Sequence, residues 1–230
     1  MTLDYLVVAA HPDDAELCLG GTILALKARK ATVGILDLTD GEPTPHGSPT
    51  IRDHETQAAT KILGVDWRGT LGLTNRELIN DLRSRRLLAS KFRELRPRNL
   101  LAHYYDDAHP DHIAASQLTE ASRFWSKLSQ TNMPHDRYFP EKIFYFFSFH
   151  LRLHCQPSFV LDISDHHEMK MEAIQCYHSQ FAAGRSTEFP TFFDDVIARD
   201  RYWGWTISKT YGEPLVTKEL VGIRNLIDVC

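Results

Sequence analysis

Apolar positions in the first half of the chain alternate between two periods. Residues 5–10, Tyr-Leu-Val-Val-Ala-Ala, form a continuous apolar run of strand length that stops at His11-Pro12, as a strand buried on both faces stops at a loop. Residues 15–30 place Leu19, Ile23, Leu24 and Leu26 at helical spacing, and 32–38 returns to a β-rich run, so the three together read as one βαβ unit. The Gly-, Pro- and Thr-rich stretch 39–49 reads as a loop. Helical spacing resumes over 51–63 and stops at Gly64, 67–73 is a weak third strand, 78–95 is an amphipathic helix closed by Arg96-Pro97, and 99–103 is a short fourth strand. A helix over about 112–128, strands over 143–149 and 159–163, and helices over 165–177 and 192–205 complete the pattern. Residues 206–230 are expected to cap the core or to join copies of the chain, which is expected to be a homo-oligomer. The aromatic side chains Phe189, Phe192, Phe193, Tyr202, Trp203 and Trp205 are expected to bury against the core.

This alternation predicts an α/β fold: a doubly wound, mostly parallel sheet with helices on both faces and a strand order of about 3-2-1-4-5. Such sheets bind ligands beyond the carboxyl ends of the strands where the order reverses, here between strands 1 and 4. No internal repeat or low-complexity linker interrupts the 230 residues, so one domain over 1–230 is expected.

Composition narrows the function classes. With 43% hydrophobic and 24% charged residues, the chain is of the soluble globular type. Its net charge of −4 and the lack of a continuous Lys/Arg stripe argue against nucleic acid. The densest basic stretch, Arg83, Arg85, Arg86, Lys91, Arg93, Arg96 and Arg98, reads as the solvated face of a helix. No segment reaches the roughly 20 apolar residues that cross a bilayer, and the run 5–10 is too short for a leader, so no membrane association is expected. Cys18, Cys155, Cys176 and Cys230 form no CxxC pair, which argues against a disulfide framework and a zinc knuckle and for reduced thiols in a cytoplasmic protein.

Candidate chemistry sits where strands 1 and 4 end. One cluster is His11-Pro12-Asp13-Asp14 and the other is His109-Pro110-Asp111-His112, far apart in the chain but joined by the expected sheet order. His11, Asp14 and His112 offer two imidazoles and one carboxylate, a set that holds catalytic zinc with a position left for water and also suits Fe(II). Asp13, beside a ligand yet pointing elsewhere, is placed to take a proton from that water. His109, three residues before His112, is placed to meet the charge on a tetrahedral oxygen, with Pro110 favouring a helix start there. Single histidines among the 12 are more often structural, and Asp13 or Asp14 alone could cap a helix. It is the coincidence of two clusters at two neighbouring strand ends that carries the reading.

The stretch Ala10-His-Pro-Asp-Asp-Ala-Glu16 with Gly20-Gly21-Thr22, and the later His109-Pro-Asp-His112, resemble the LmbE-like (PIG-L) zinc-dependent de-N-acetylase family. The resemblance implies a Rossmann-like fold, zinc on His11, Asp14 and His112, Asp13 as general base and His109 as partner of the oxyanion. Gly41-Glu42, Arg52 with Glu55, Asp162-Ile163-Ser164 and Tyr177-His-Ser-Gln180 extend it, and the last of these resemble the bacillithiol-biosynthesis branch. The implied substrate is a small N-acetylglucosamine conjugate, with N-acetylglucosaminyl malate leading. Alternatives are an amidase acting on a sugar-thiol conjugate and a catalytically idle sugar-binding protein. Arg52 resembles the family's substrate-contacting arginine; its bland reading is a surface pair with Glu55. At Asn75 the family usually carries an acidic residue. Gly20 and Gly21 lack GxGxxG spacing, so close packing of helix on sheet is the expectation for them rather than a nucleotide.

Overall fold

The structure, a computed structural model, describes residues 2–150, 155–223 and 229. Seven strands form one sheet: β1 (Tyr5–Ala9), β2 (Val33–Asp37), β3 (Trp67–Thr70), β4 (Asn99–His103), β5 (Lys142–Phe146), β6 (Phe159–Asp162) and β7 (Gly212–Val216). The order is β3-β2-β1-β4-β5-β7-β6. The five strands from β3 to β5 are parallel, as the pattern of the first half predicts, and β7 pairs antiparallel with both β5 and β6.

Among the described residues seven helices cover the sheet: α1 (Asp14–Ala28), α2 (Pro49–Leu63), α3 (Leu82–Leu95), α4 (Pro110–Ser126), α5 (His167–Gln175), the short α6 (His178–Phe181) and α7 (Phe192–Thr206). Alternation along the strands separates two cores. Val7 turns to a cluster with Leu19, Ile23, Leu63 and Ile174, while Leu6 and Val8 turn to one with Leu88, Phe92 and Leu118. Helices therefore lie on both faces.

Local signals set most boundaries. Ser48 caps α2 through Ile51 N, Asp81 caps α3 through Ser84 N at 2.7 Å, and Gly64 ends α2 in the left-handed region at φ 61°. The Asp81 cap shortens the helix expected over 78–95. The helix expected over 165–177 is instead a 3-10 turn (Ser164–His166) followed by α5, because Asp162 Oδ1 takes up Ser164 N and Oγ and holds the chain in a turn.

Three other expectations need correction. Residues 212–216, expected only to cap or oligomerise, form β7 inside the sheet. The close packing expected at Gly20 and Gly21 is present and involves α5 as well as the sheet: a Cβ would lie 2.8 Å from Lys170 Cγ at Gly20 and 2.6 Å from Ile163 Cβ at Gly21, and Gly21 N donates to Glu213 of β7. Arg93 is buried, not solvated, and donates to the carbonyls of Ser126, Leu128, Met133 and His135, pinning the segment after α4. Of the aromatic tail, Phe192 and Phe193 pack on the core, whereas Tyr202, Trp205 and Phe189, the last 85% exposed, do not.

Cys18, Cys155 and Cys176 are free thiols; Cys230 lies outside the described residues. Among the described residues no helix is long and apolar enough to cross a membrane.

Candidate active site

The parallel register of β1 and β4, with Val8 opposite Ala102, brings two chain turns together at the carboxyl end of the sheet. After β1 the turn through His11, Pro12 and Asp13 enters α1 at Asp14. After β4 a loop runs to His109, whose side chain caps α4 by accepting Asp111 N at 3.2 Å. Pro110 opens that helix, as expected.

His11 Nδ1 lies 3.3 Å from Asp14 Oδ2, and His112 Nε2 lies 3.3 Å from Asp14 Oδ1. Donor atoms of His11, Asp14 and His112 all fall within 4.8 Å of one another. The structure thus gathers the three residues expected as ligands, and two imidazoles with a carboxylate fit zinc or Fe(II).

Each imidazole is held from behind by a carboxylate to which the sequence analysis gave no role. Asp111 Oδ2 sits 3.3 Å from His11 Nε2, and Asp107 Oδ2 sits 3.0 Å from His112 Nδ1. Such partners fix the ring orientation and leave the opposite nitrogen aimed at a cation. Asp111 also accepts Arg76 N at 2.7 Å, and Asp107 accepts His109 N at 2.9 Å. A further unanticipated residue, His103, accepts Ala10 N at 3.0 Å and lies 3.3 Å from Asp14 Oδ2, its ring stacked on His112 at 4.1 Å. The position of His103 at the end of a predicted strand, just before the second cluster, was the signal available for it.

The field at this spot favours positive charge. Burial pulls His11 and His112 down, yet hydrogen bonds to Asp111 and Asp14 push His11 up to about 9, and the charge of Asp14 with the bond to Asp107 pushes His112 up to about 10. Burial raises Asp14, but His112 and His103 outweigh it and hold the carboxyl well below the usual range. Protons and a divalent cation compete for such a site.

Asp13 turns away from this cluster. Its backbone has φ 120°, a costly conformation for a residue with a Cβ, and its carboxylate accepts Arg52 Nη1 at 2.7 Å. Burial is the largest influence on it and pushes it up; Arg52 opposes and Asp14 adds to the rise, leaving it at about 7. Asp13 precedes α1 but makes no side-chain capping bond, so the helix-cap alternative fails for it.

Arg52 is buried, donating also to Pro12 O at 2.6 Å and Glu42 Oε1 at 3.2 Å. The alternative surface pair with Glu55 is not formed, because Glu55 accepts Ser179 N and Oγ, each at 2.7 Å. Burial and His112 lower His109 to about 4, and its capping bond occupies Nδ1, so the neutral ring carries its proton on Nε2.

These groups line a cavity of about 230 Å³, walled by Leu17, Phe149, Phe181 and Phe192 and edged by Asn75, Arg76, His150, Gln180 and Arg185. A larger hollow of about 600 Å³ over β2, β3 and α2 shares Arg52 with it but holds none of the His/Asp cluster.

Comparison with known proteins gives the family and the fold. The family model described as "PIG-L: GlcNAc-PI de-N-acetylase" matches residues 6–122. A curated relative from Bacillus anthracis, named "Probable N-acetyl-alpha-D-glucosaminyl L-malate deacetylase 2", is 35% identical over 83 residues, covering 32% of this chain and 37% of that protein. The match thus spans little more than a third of that relative. The solved structure of the conserved protein TT1542 from Thermus thermophilus is 38% identical, with TM-score 0.88 over 96% of this chain and 97% of that one. N,N'-diacetylchitobiose deacetylase from Pyrococcus horikoshii, 24% identical, shares the fold with TM-score 0.78 over 92% and 82% of the two chains.

Proposed function

This chain belongs to the PIG-L family of GlcNAc-PI de-N-acetylases, and on that premise we propose that it hydrolyses the N-acetyl group of a small N-acetylglucosamine conjugate, with zinc held by His11, Asp14 and His112. The observation that carries the reading is the convergence of those three side chains on the floor of a cavity, with Asp13 beside them and outside the ligand set. Fe(II) suits the same donors.

A divalent cation held by His11, Asp14 and His112 would supply Lewis-acid polarisation of the amide carbonyl and make water a better nucleophile at neutral pH. Asp13 takes a proton from the attacking water, its affinity for that proton raised by burial and by the neighbouring Asp14 charge. Arg52, fixed by Pro12 O and Glu42, keeps that carboxylate turned toward the cavity. His109 donates its Nε2–H to the oxygen that becomes negative as the carbonyl carbon turns tetrahedral. The C–N bond then breaks, Asp13 passes its proton to the departing amine, and acetate and the free amino sugar leave.

Arg52 keeps a substrate role as well. Its Nη2 has no protein partner among the described residues and is available to a sugar hydroxyl, as the neighbouring Asn75 side chain is. A cavity of about 230 Å³ suits one sugar ring with a short aglycone. The Bacillus anthracis relative's name supports N-acetylglucosaminyl malate as the leading substrate.

The test is acetate release from N-acetylglucosaminyl malate by zinc-loaded protein, with chelation abolishing it and zinc restoring it. Protein carrying one equivalent of zinc that frees no acetate from any N-acetylglucosamine conjugate overturns the reading.

A further inference from the structure

The rim of the catalytic cavity carries two guanidinium groups that the steps above do not use. Arg185, in the loop after α6, donates Nε to Gln180 O at 2.9 Å and lies 4.7 Å over the ring of Phe192, which is itself stacked on Phe181 at 4.6 Å. One edge and one face of this guanidinium are therefore committed, while both terminal Nη groups have no partner among the described residues. Arg76, which also lines the cavity, is tied by its backbone N–H to Asp111 and by Nη2 to Pro43 O at 2.6 Å. Its φ of 65° is a conformation that a non-glycine residue adopts at a cost, here enforced by the bond to Asp111. Neither arginine forms an ion pair with a described carboxylate. By contrast Arg52, on the same cavity, is ion-paired with Asp13 and Glu42.

A guanidinium with one edge tethered and one face on an aromatic ring is pre-organised, so little rotamer freedom is lost when its free edge takes a bidentate anion. Phe181 and Phe192 form an apolar wall beside Arg185, within a cavity otherwise lined largely by polar and charged side chains. Two uncompensated positive groups above a site that takes a sugar amide select what hangs from the sugar.

We propose that Arg185, assisted by Arg76, reads the aglycone: the chain prefers N-acetylglucosamine conjugates whose aglycone carries a small anion, a carboxylate or a phosphate, within reach of this rim. This rests on the reading that the cavity receives an N-acetylglucosamine conjugate. It leaves Arg52 to Asp13 and the sugar.

The experiment compares zinc-loaded wild type, Arg185→Met and Arg185→Lys on three substrates: N-acetylglucosaminyl malate, N-acetylglucosamine 1-phosphate and neutral methyl N-acetylglucosaminide. Calorimetric binding of the corresponding amines to the same proteins is measured in parallel. Charge-assisted hydrogen bonds are worth about 1.5–3 kcal/mol, so wild type is expected to favour one anionic substrate in KM, and Arg185→Met to erase about 10–100-fold of that preference. Arg185→Lys, which keeps the charge but loses the fork, should fall between. Preference for the malate or for the phosphate identifies the source of the anion. Equal KM for neutral and anionic substrates in wild type, or an equal change on all three in Arg185→Met, overturns the proposal. Should no substrate release acetate while the anionic amines still bind in an Arg185-dependent way, the deacetylase reading fails and the rim stands; acetate release without Arg185-dependent selectivity gives the reverse.

Discussion

Two groups of buried charge meet different parts of α1. At its N-terminal end, Asp14 gathers His11, His103 and His112. Further along, the bare backbone at Gly20 and Gly21 admits Lys170 and Glu213. Lys170 Nζ lies 2.7 Å from Asp200 and 2.8 Å from Glu213, and Glu213 also accepts Gly21 N at 3.0 Å and Thr22 N at 2.7 Å. His167 adds a contact to Asp200 at 3.2 Å while its ring stacks on Tyr211. Both groups are buried and both hold opposite charges close together, yet only one looks like a site. In the second, the donors and acceptors are turned on one another and tie β7, α5 and α7 to α1. In the first, carboxylates hold the back of each imidazole and the front nitrogens face a cavity. Burial and charge do not mark function; unspent coordination capacity beside an open space does.

The comparison breaks most sharply at the ligands. His112→Ala is expected to lower acetate release about a thousandfold or more, since loss of the cation removes several kcal/mol of transition-state stabilisation, with zinc content falling in parallel. Activity retained at low zinc content would contradict the ligand assignment. Asp13→Asn should reduce kcat by about 10²–10⁴-fold with zinc still bound, measured by metal analysis beside kinetics.

The other cluster should respond in stability. Lys170→Met strands Asp200 and Glu213 in the interior and is expected to cost about 3–5 kcal/mol in denaturant titration, with zinc affinity little changed. Asp111→Asn sharpens the contrast from the first side, weakening zinc about 10–100-fold while the fold persists.

The smallest effect is in pH. Burial pulls Lys170 down, but Asp200 and Glu213 outweigh it and raise it, so its contribution is full below 10.5 and is lost as pH climbs through the raised value. Burial raises Asp200, but Lys170 and His167 outweigh it and lower it, so its contribution is present above 3.8 and is lost as pH falls through the depressed value. In Lys170→Met the stranded carboxylates bind protons more tightly than in wild type, so the stability gap is expected to narrow as pH falls and protonation relieves them, and to widen as pH rises and they ionise, until Lys170 itself loses its proton in wild type above 10.5. A gap that widens as pH falls from neutrality would show that the cluster is not built on this ion pair.

Legibility followed the range of the interactions. The strand over 99–103 was readable to the residue, because a short apolar run bounded by Pro97 and a polar loop has one interpretation. β7 was not, since Gly212-Glu-Pro-Leu-Val216 carries a glycine, a proline and a charge, all of which read as loop. Its charge is tolerated because Lys170 and the α1 backbone surround Glu213, and Pro214 lies outside the two-residue ladder with β5. In the site, the convergence of His11, Asp14 and His112 was readable from motif and strand order, whereas the contacts that Asp107 and His103 make to it were not.

The sequence by itself determined the parallel half of the sheet, the turns that end β1 and β4, and the residues those turns present, because periodicity, Pro110 and the His/Asp spacing act within a few residues of one another. Only the tertiary structure decided that Asp111 steadies the histidine of the other cluster, that Arg52 belongs to Asp13 rather than Glu55, and that β7 enters the sheet. Those outcomes depend on which distant groups remain unpaired once the backbone closes, and the free energy of a buried charge is set by whatever neighbours the fold brings to it.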